Sequence, residues 1–404
     1  MSVQWPACKN PDHKAFTLVE LLVSMAVLTL LMLVLLGAVS QTSNIWRRTT
    51  GKIEQFRGAR QGFEAMTRKL SQATLNTYWD YDNPNAPTKY QRQSELRFIS
   101  GAAAEVFNKS DKVRPTHAIF FQAPLGFSQD SGTAIAGISQ LENLLNTWGY
   151  YLEYTDDTAV RPDFINSILN IKPRYRFRLM ELMEASQDMA LYKYTSGQNA
   201  TGTPSSRTYL TCNPTLTGLS IASGVTPRGG INGREWFTDA LFSSAPPAHI
   251  LAENIVALII LPRLSEGEKD PQTSQAFNAY DLAPRYSYDS TAGNSNPSLN
   301  PRNQLPPVVQ VTMVAVDEAS FKRLSPDTTA PDFGLATMFL NASNYDTDMA
   351  QLQANLLQHD YTTMVNGTSK TFTPTVSVGA PLNYRIFTSN VSIKGAKWSR
   401  AQTN

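Results

Sequence analysis

Cysteine is almost missing from this chain of 404 residues: Cys8 and Cys212 are too few for a disulfide framework or a thiolate zinc site. Basic excess is missing as well. The formal net charge is +2, whereas a nucleic-acid footprint needs Lys and Arg clustered in large excess, so no nucleic acid is expected as a partner. The sequence also lacks a G-x-x-x-x-G-K-[ST] phosphate loop, a G-x-S-x-G nucleophile elbow and an H-E-x-x-H metal motif. Histidine is scarce, and His13, His117, His249 and His359 are far apart, so they read as surface or satisfied core residues. The adjacent acids Asp156 and Asp157 would point to opposite faces of a strand and read as a solvated turn. No catalytic residue is assigned and no enzyme activity is expected. A content of 42% hydrophobic and 17% charged residues does exclude disorder throughout, and the length suffices for one large domain or two small ones. No internal repeat is evident.

What the sequence does have is a long apolar run. From Phe16 to Val39 there is no Lys, Arg, Asp or Pro, and a helix of that length spans roughly 36 Å, enough to cross a bilayer with some tilt. A core helix is usually shorter and capped. A secretory signal should end its apolar stretch at a small-residue cleavage site, and nothing like Ala-x-Ala closes this one. One carboxylate interrupts the run. Glu20 lies about 6 Å along the helix from Phe16, nearer the interface than the midplane, and ionisable residues in such segments are functional candidates by default.

Helical periodicity continues beyond the run. Ile53, Phe56, Phe63, Met66, Leu70 and Ala73 recur at spacings of three, four or seven, while Lys52, Glu54, Arg57, Arg60, Glu64, Arg68 and Lys69 take other faces. One helix from about Phe16 to Asn76 is predicted, apolar all round in its first half and amphipathic in its second. Gly37 within it admits two readings, a site of local bending or a close-packing contact.

The octet Lys14-Ala15-Phe16-Thr17-Leu18-Val19-Glu20-Leu21 closely resembles the processing site of type IV prepilins and of the pseudopilins of type II secretion. The resemblance implies that a prepilin peptidase cuts between Ala15 and Phe16, that Phe16 becomes N-methylated, and that Glu20 is the acidic residue which meets a neighbouring subunit's positive amino terminus and sets axial register. Ala15 departs from the glycine usual before the cut. Residues 1–15 would then be the leader, 16–39 the transmembrane half of the helix, 40–79 its amphipathic half and 80–404 a globular pilin-like head. The implied partners are other pilin-like subunits, the peptidase, the filament assembly machinery and the membrane. Lys9 and Lys14 before the span against Arg47, Arg48 and Lys52 after it place the head in the cytoplasm by charge, whereas the resemblance places it outside the inner membrane.

The head reads as α+β: a long amino-terminal helix packed on a mainly antiparallel sheet, with long loop insertions. Strands are predicted at "ELRFIS" from Glu95, "HAIFFQA" from His117, "GYYLEY" from Gly149, "RYRFRLMEL" from Arg174, "NIVALIIL" from Asn254, "PVVQVTMVAV" from Pro307 and "NYRIFTSNVSI" from Asn383. Short helices are predicted at Ser139 to Trp148 and Met349 to Gln358. So few helices argue against regular βαβ alternation. The stretches Thr195 to Arg234 and Ser265 to Pro306 are too long for ordinary connections and read as surface insertions or mobile loops. They underlie an alternative function, a pilin-anchored adhesin or substrate receptor.

The element order is similar to that of the J-type minor pseudopilins, through "RQGFEAMTRKLSQA", "ILAENIVALII" and "LPPVVQVTMVAV". The segments "LSQATLNTYWDYD", "QLPPVVQVTMVAVDEAS" and "YRIFTSNVSIKGAKWS" also resemble the set called Verru_Chthon cassette protein C, which has no activity to carry over. The prepilin resemblance implies a structural subunit without a cofactor. One candidate metal site remains: Asp80, Asp82, Asn83 and Asn85 place oxygen ligands at near-alternating positions suited to calcium. The loop lacks EF-hand spacing and a closing Glu, and Asp-Asn-Pro is common turn chemistry, which is the favoured reading.

Overall fold

A computed structural model describes residues 18–81, 86–94, 96–127, 143–158, 160–162, 164–165, 171–186, 189, 195–198, 204–208, 234–243, 245–265, 267–270, 274–324 and 327–398. Two compact units divide the chain, Met1–Glu54 and Gln55–Asn404. The described part of the first is helical throughout and belongs to α1 (Leu18–Leu70).

The second unit is built on an antiparallel six-stranded sheet. Its strands are β3 (Phe98–Ala102), β4 (His117–Pro124), β5 (Leu145–Thr155), β6 (Arg176–Glu184), β9 (Ala248–Glu253) and β11 (Tyr288–Asp289), in the order β11-β3-β4-β5-β6-β9. A three-stranded antiparallel sheet joins β10 (Ile255–Arg263), β12 (Val308–Val316) and β15 (Tyr384–Ser392) in that order. Two-stranded pairs are formed by β1 (Tyr78–Tyr81) with β2 (Tyr90–Gln93), β7 (Thr195–Gln198) with β8 (Pro204–Thr208), and β13 (Tyr361–Val365) with β14 (Thr368–Phe372). The helices besides α1 are short: α2 (Ala103–Phe107), α3 (Glu235–Leu241), α4 (Glu318–Arg323) and α5 (Tyr345–Leu357). The α+β class read from the sequence is the observed one.

Alternation along the strands sorts the apolar side chains into separate layers. Ile119 and Phe121 of β4, Leu258 and Ile260 of β10, and Val311 and Met313 of β12 share one cluster with Ala59, Phe63, Met66 and Leu70 of α1. The predicted amphipathic stripe thus lies against both sheets, with Phe56 half-buried at its edge. The opposite face of the small sheet, through Val256, Ile259 and Val314, packs on Met349, Leu352 and Leu356 of α5. Phe120, Tyr151 and Leu182 from the opposite face of the large sheet meet Phe107 of α2 and Trp236 and Phe237 of α3. Fully burying such side chains stabilises by about 1.5–3 kcal/mol each, so these layers account for the head's cohesion.

β10 is an edge strand, and unpaired edge N–H groups need partners. Side chains at the start of β4 supply them: Thr116 Oγ1 accepts from Leu258 N at 3.0 Å and His117 Nδ1 accepts from Ile260 N at 3.0 Å. With Nδ1 accepting, the His117 proton sits on Nε2, which donates to Phe339 O at 3.2 Å. Burial pushes the His117 imidazole down to about 4, against the opposing pull of the Phe339 carbonyl. His117 is therefore a neutral link between the two sheets, a satisfied core histidine, while His249 and His359 are exposed.

Several expectations are corrected. The helix α1 ends at Leu70, before the predicted Asn76. There the chain tightens, Gln72 N and Ala73 N bonding Lys69 O and Leu70 O, and Thr74 N is then captured by Gln122 O of β4 at 2.9 Å. The helix predicted at Ser139 to Trp148 is not formed over its last part: Leu145–Trp148 begins β5, and 139–142 lie outside the described residues. Pairing on both sides, with β4 and β6, outweighs the helical Leu spacing. Gly149 in mid-strand is explained by Phe120, whose ring lies where a Cβ would stand, 2.1 Å from its position.

The stretch Ser265 to Pro306 is not a plain surface insertion. Tyr286 and Tyr288 are fully buried or nearly so, β11 extends the large sheet, and Tyr288 Oη donates to Gln304 O at 2.8 Å. Its turns carry their own hydrogen bonds, such as Ser298 N to Asn296 Oδ1 at 2.9 Å. Most of Thr195 to Arg234 lies outside the described residues, apart from β7 and β8. Asp156 and Asp157 do form a turn. It is held by Arg161, which donates to Asp157 Oδ1 at 2.6 Å, and by the Arg174 amide at 2.7 Å, rather than by solvent alone.

Candidate assembly site at the amino-terminal helix

Every described side chain from 18 to 43 is exposed. Leu18 is 77% exposed, Leu33 70% and Trp46, just beyond, 72%. Leu18–Ser43 is long and apolar enough to cross a bilayer. Polar atoms within it are handled locally, as a hydrocarbon environment demands. Ser24 Oγ donates to Leu21 O at 2.9 Å, Thr29 Oγ1 to Met25 O at 2.7 Å, Ser40 Oγ to Gly37 O at 3.1 Å and Thr42 Oγ1 to Ala38 O at 2.8 Å.

Glu20 is the acidic residue of the span. It stands in the first turn of α1, where a carboxylate is favoured by the amino-terminal end of the helix dipole. Ala15 and Phe16 lie outside the described residues. At Gly37 the helix is uninterrupted, and an added Cβ would meet nothing within 4 Å among the described residues.

The candidate calcium loop is only partly described. Asp80 lies on β1, its Oδ1 accepting from the Tyr81 amide at 2.7 Å, and Asp82, Asn83 and Asn85 lie outside the described residues. No group of three or more His, Cys, Asp or Glu suited to a metal ion occurs among the described residues.

Two features escaped sequence reasoning. The register of β1 with β2 puts Trp79 opposite Arg92 and Tyr81 opposite Tyr90, so three exposed aromatic rings share one face, with Tyr81 and Tyr90 4.5 Å apart. The Y-W-D-Y run was visible, but not its alignment with Tyr90. The second feature is a charged cleft on the large sheet, assembled from segments distant in sequence.

Residues 10–36 match the family model of the prokaryotic N-terminal methylation motif. The match covers Ala15, Phe16 and Glu20 and indicates a type IV pilin-like precursor, a class of structural subunits that assemble into filaments after peptidase processing. An apolar helix near the amino terminus fits the single membrane anchor of that class. No curated protein and no solved structure matches the chain.

Proposed function

We propose that the protein is a minor pilin-like subunit, a pseudopilin held in the inner membrane by Leu18–Ser43 with its head on the periplasmic side. It is cut between Ala15 and Phe16, methylated on Phe16, and drawn into a type II secretion pseudopilus or a type IV pilus-like filament. The observation that carries this reading is the methylation motif at 10–36 on a helix whose every described face from 18 to 43 is uncovered. Such a helix finds partners only in lipid or in other helices, and packing against other subunits places Glu20 near a neighbour's cationic amino terminus. The large head favours the tip of the filament, because bulky heads crowd a close-packed array. The sequence resemblances to J-type pseudopilins and to the Verru_Chthon cassette set support a minor subunit.

Mass spectrometry of the mature amino terminus tests the reading. A methylated Phe16 is expected, and an intact Met1 overturns it. Glu20→Ala should leave membrane insertion intact while impairing co-assembly with partner subunits; unimpaired co-assembly removes the register role. The loop from Asp80 to Asn85 has a separate test. A thermal shift with calcium over chelator, lost on joint replacement of Asp80 and Asp82 by Ala, would assign it to calcium, and no shift in the parent protein leaves it a turn.

A further inference from the structure

A cleft of about 690 Å³ opens on the face of the large sheet that carries α2 and α3. Its floor is set by strand register: Tyr151 of β5 opposite Met180 of β6, Glu153 opposite Arg178, and Met180 opposite Ile250 of β9. Lys109, Asp111, Lys112 and Arg114, from the connection between α2 and β4, and Asp156 after β5, whose Oδ1 accepts from Thr158 N at 3.2 Å, complete its charged lining. The volume falls within the range of small-ligand sites.

Donors and acceptors in the cleft are unequally used. The Glu153 carboxylate, 5% exposed, accepts from Lys112 Nζ at 2.6 Å and from Arg114 Nε at 3.3 Å. Asp111 accepts from Arg114 Nη1 at 2.6 Å. These acceptors are engaged. The Arg178 side chain is 0% exposed: Nε donates to Glu253 Oε1 at 3.2 Å, Nη1 to the carbonyls of Thr155 and Asp156, and Nη2 is buried with no partner among the described residues. An ammonium carries three donors, and Lys112, half-exposed, directs one to Glu153. Lys109 is also half-exposed and only 3.8 Å from Asp111, beyond hydrogen-bond length. Lys109 Nζ also stands 4.0 Å over the Phe242 ring, so the capacity left is Arg178 Nη2 and the remaining N–H groups of the two ammoniums, and a buried guanidinium nitrogen without an acceptor is costly. A matching ligand brings acceptor oxygens and negative charge.

We propose that this cleft is a carboxylate-binding site, with Arg178 as the buried donor at its floor and Lys109 and Lys112 as the cations at its mouth. A planar guanidinium suits a carboxylate, and Tyr151, Met180 and Ile250 provide apolar floor for the ligand's carbon atoms. The carboxylate comes from a free organic acid or from an acidic side chain of a peptide. This inference is independent of the filament reading, since it uses no residue of the amino-terminal helix.

The test uses the full chain in detergent micelles, titrated with fluorescein-labelled tetraglutamate and, as neutral control, labelled tetraglutamine. Saturable tetraglutamate binding, tighter than tetraglutamine by about tenfold or more, is expected for a charge-assisted site. Displacement by succinate assigns recognition to the carboxylate itself, and peptide binding that succinate does not displace assigns it to a peptide side chain. Equal binding of both peptides, or none, overturns the proposal. Arg178→Gln should abolish binding. Because that variant also removes internal bonds, Lys112→Gln at the exposed rim and Met180→Trp, which fills the floor, are measured alongside it. Each should weaken binding by about tenfold while the head still unfolds in one cooperative melt, and unchanged affinity in both rejects the cleft.

Discussion

The two ends of α1 are made of the same backbone and end in different environments. Between 18 and 43 every described side chain is exposed although most are apolar, whereas Ala59, Phe63, Met66 and Leu70 are buried and Arg57, Arg60 and Glu64 are exposed. Amphipathicity is the cause: a stripe of apolar residues is covered by the head's sheets, but a helix apolar all round needs a surrounding medium. The covered end therefore contributes to the head's stability within the chain. On the proposed function, the uncovered end is left for lipid and neighbouring subunits.

The largest effect should separate these ends directly. Leu70→Ala should destabilise the head by about 2–5 kcal/mol, while Leu28→Ala, outside any core, should change it by less than about 0.5 kcal/mol in chemical denaturation of the micelle-solubilised chain. Equal losses would break the comparison. Next comes the pH dependence of the covered region. His117 is neutral in the folded head because burial lowers it from 6.5 to about 4, so the unfolded chain binds more protons between those values. Its contribution, about 3 kcal/mol by linkage, is fully present above pH 6.5 and is lost as pH falls towards 4. Melts of His117→Gln, which can still accept and donate but does not titrate, should show a flatter acid limb than the parent; identical limbs refute the assignment.

A smaller contrast lies within the amphipathic end. Lys69 meets Glu181 Oε1 at 2.7 Å over the Trp148 ring, with Tyr150 Oη on the same oxygen at 2.7 Å, while Arg60 and Glu64 pair at 2.8 Å in solvent. Lys69→Met should cost about 1–2 kcal/mol because it leaves a shielded carboxylate with fewer donors, and Arg60→Met at most about 0.5 kcal/mol. Comparable losses would show that solvent screens both pairs alike. The smallest expected change is at Glu20: Glu20→Gln should leave the head's melting temperature where it was, so that any assembly defect is read as intersubunit. A shifted melt would place Glu20 among the head's own supports.

Periodicity made a good part of this legible. Each predicted strand is present in whole or in part, because β-branched and aromatic runs bounded by turn residues are local signals. The helix predicted at Met349 to Gln358 is α5, starting earlier at Tyr345. The hairpin of β13 and β14 was overlooked although Asn366-Gly367 marks it, with φ of 50° and 75° at its turn. What local signals lacked was the partner. Leu145 to Trp148 became strand because β4 and β6 flank it, Tyr288 became core because β3 offered an edge, and Tyr286 because it packs on His117, ring centroids 4.6 Å apart. The assembly motif could be read from a handful of adjacent residues, whereas the cleft around Arg178 joins residues from 109 to 250 and has no linear signature.

By itself the sequence determined the apolar helix, the carboxylate within it, the methylation motif and the α+β class, since each rests on neighbouring residues or short periods. Tertiary structure alone decided where α1 stops, that Ser265 to Pro306 folds into the core, that His117 joins two sheets, and that Arg178, Lys109 and Lys112 line one cleft. Those outcomes depend on contacts between residues far apart in the chain. Which distant group satisfies a given N–H, ring or charge is settled when the layers pack.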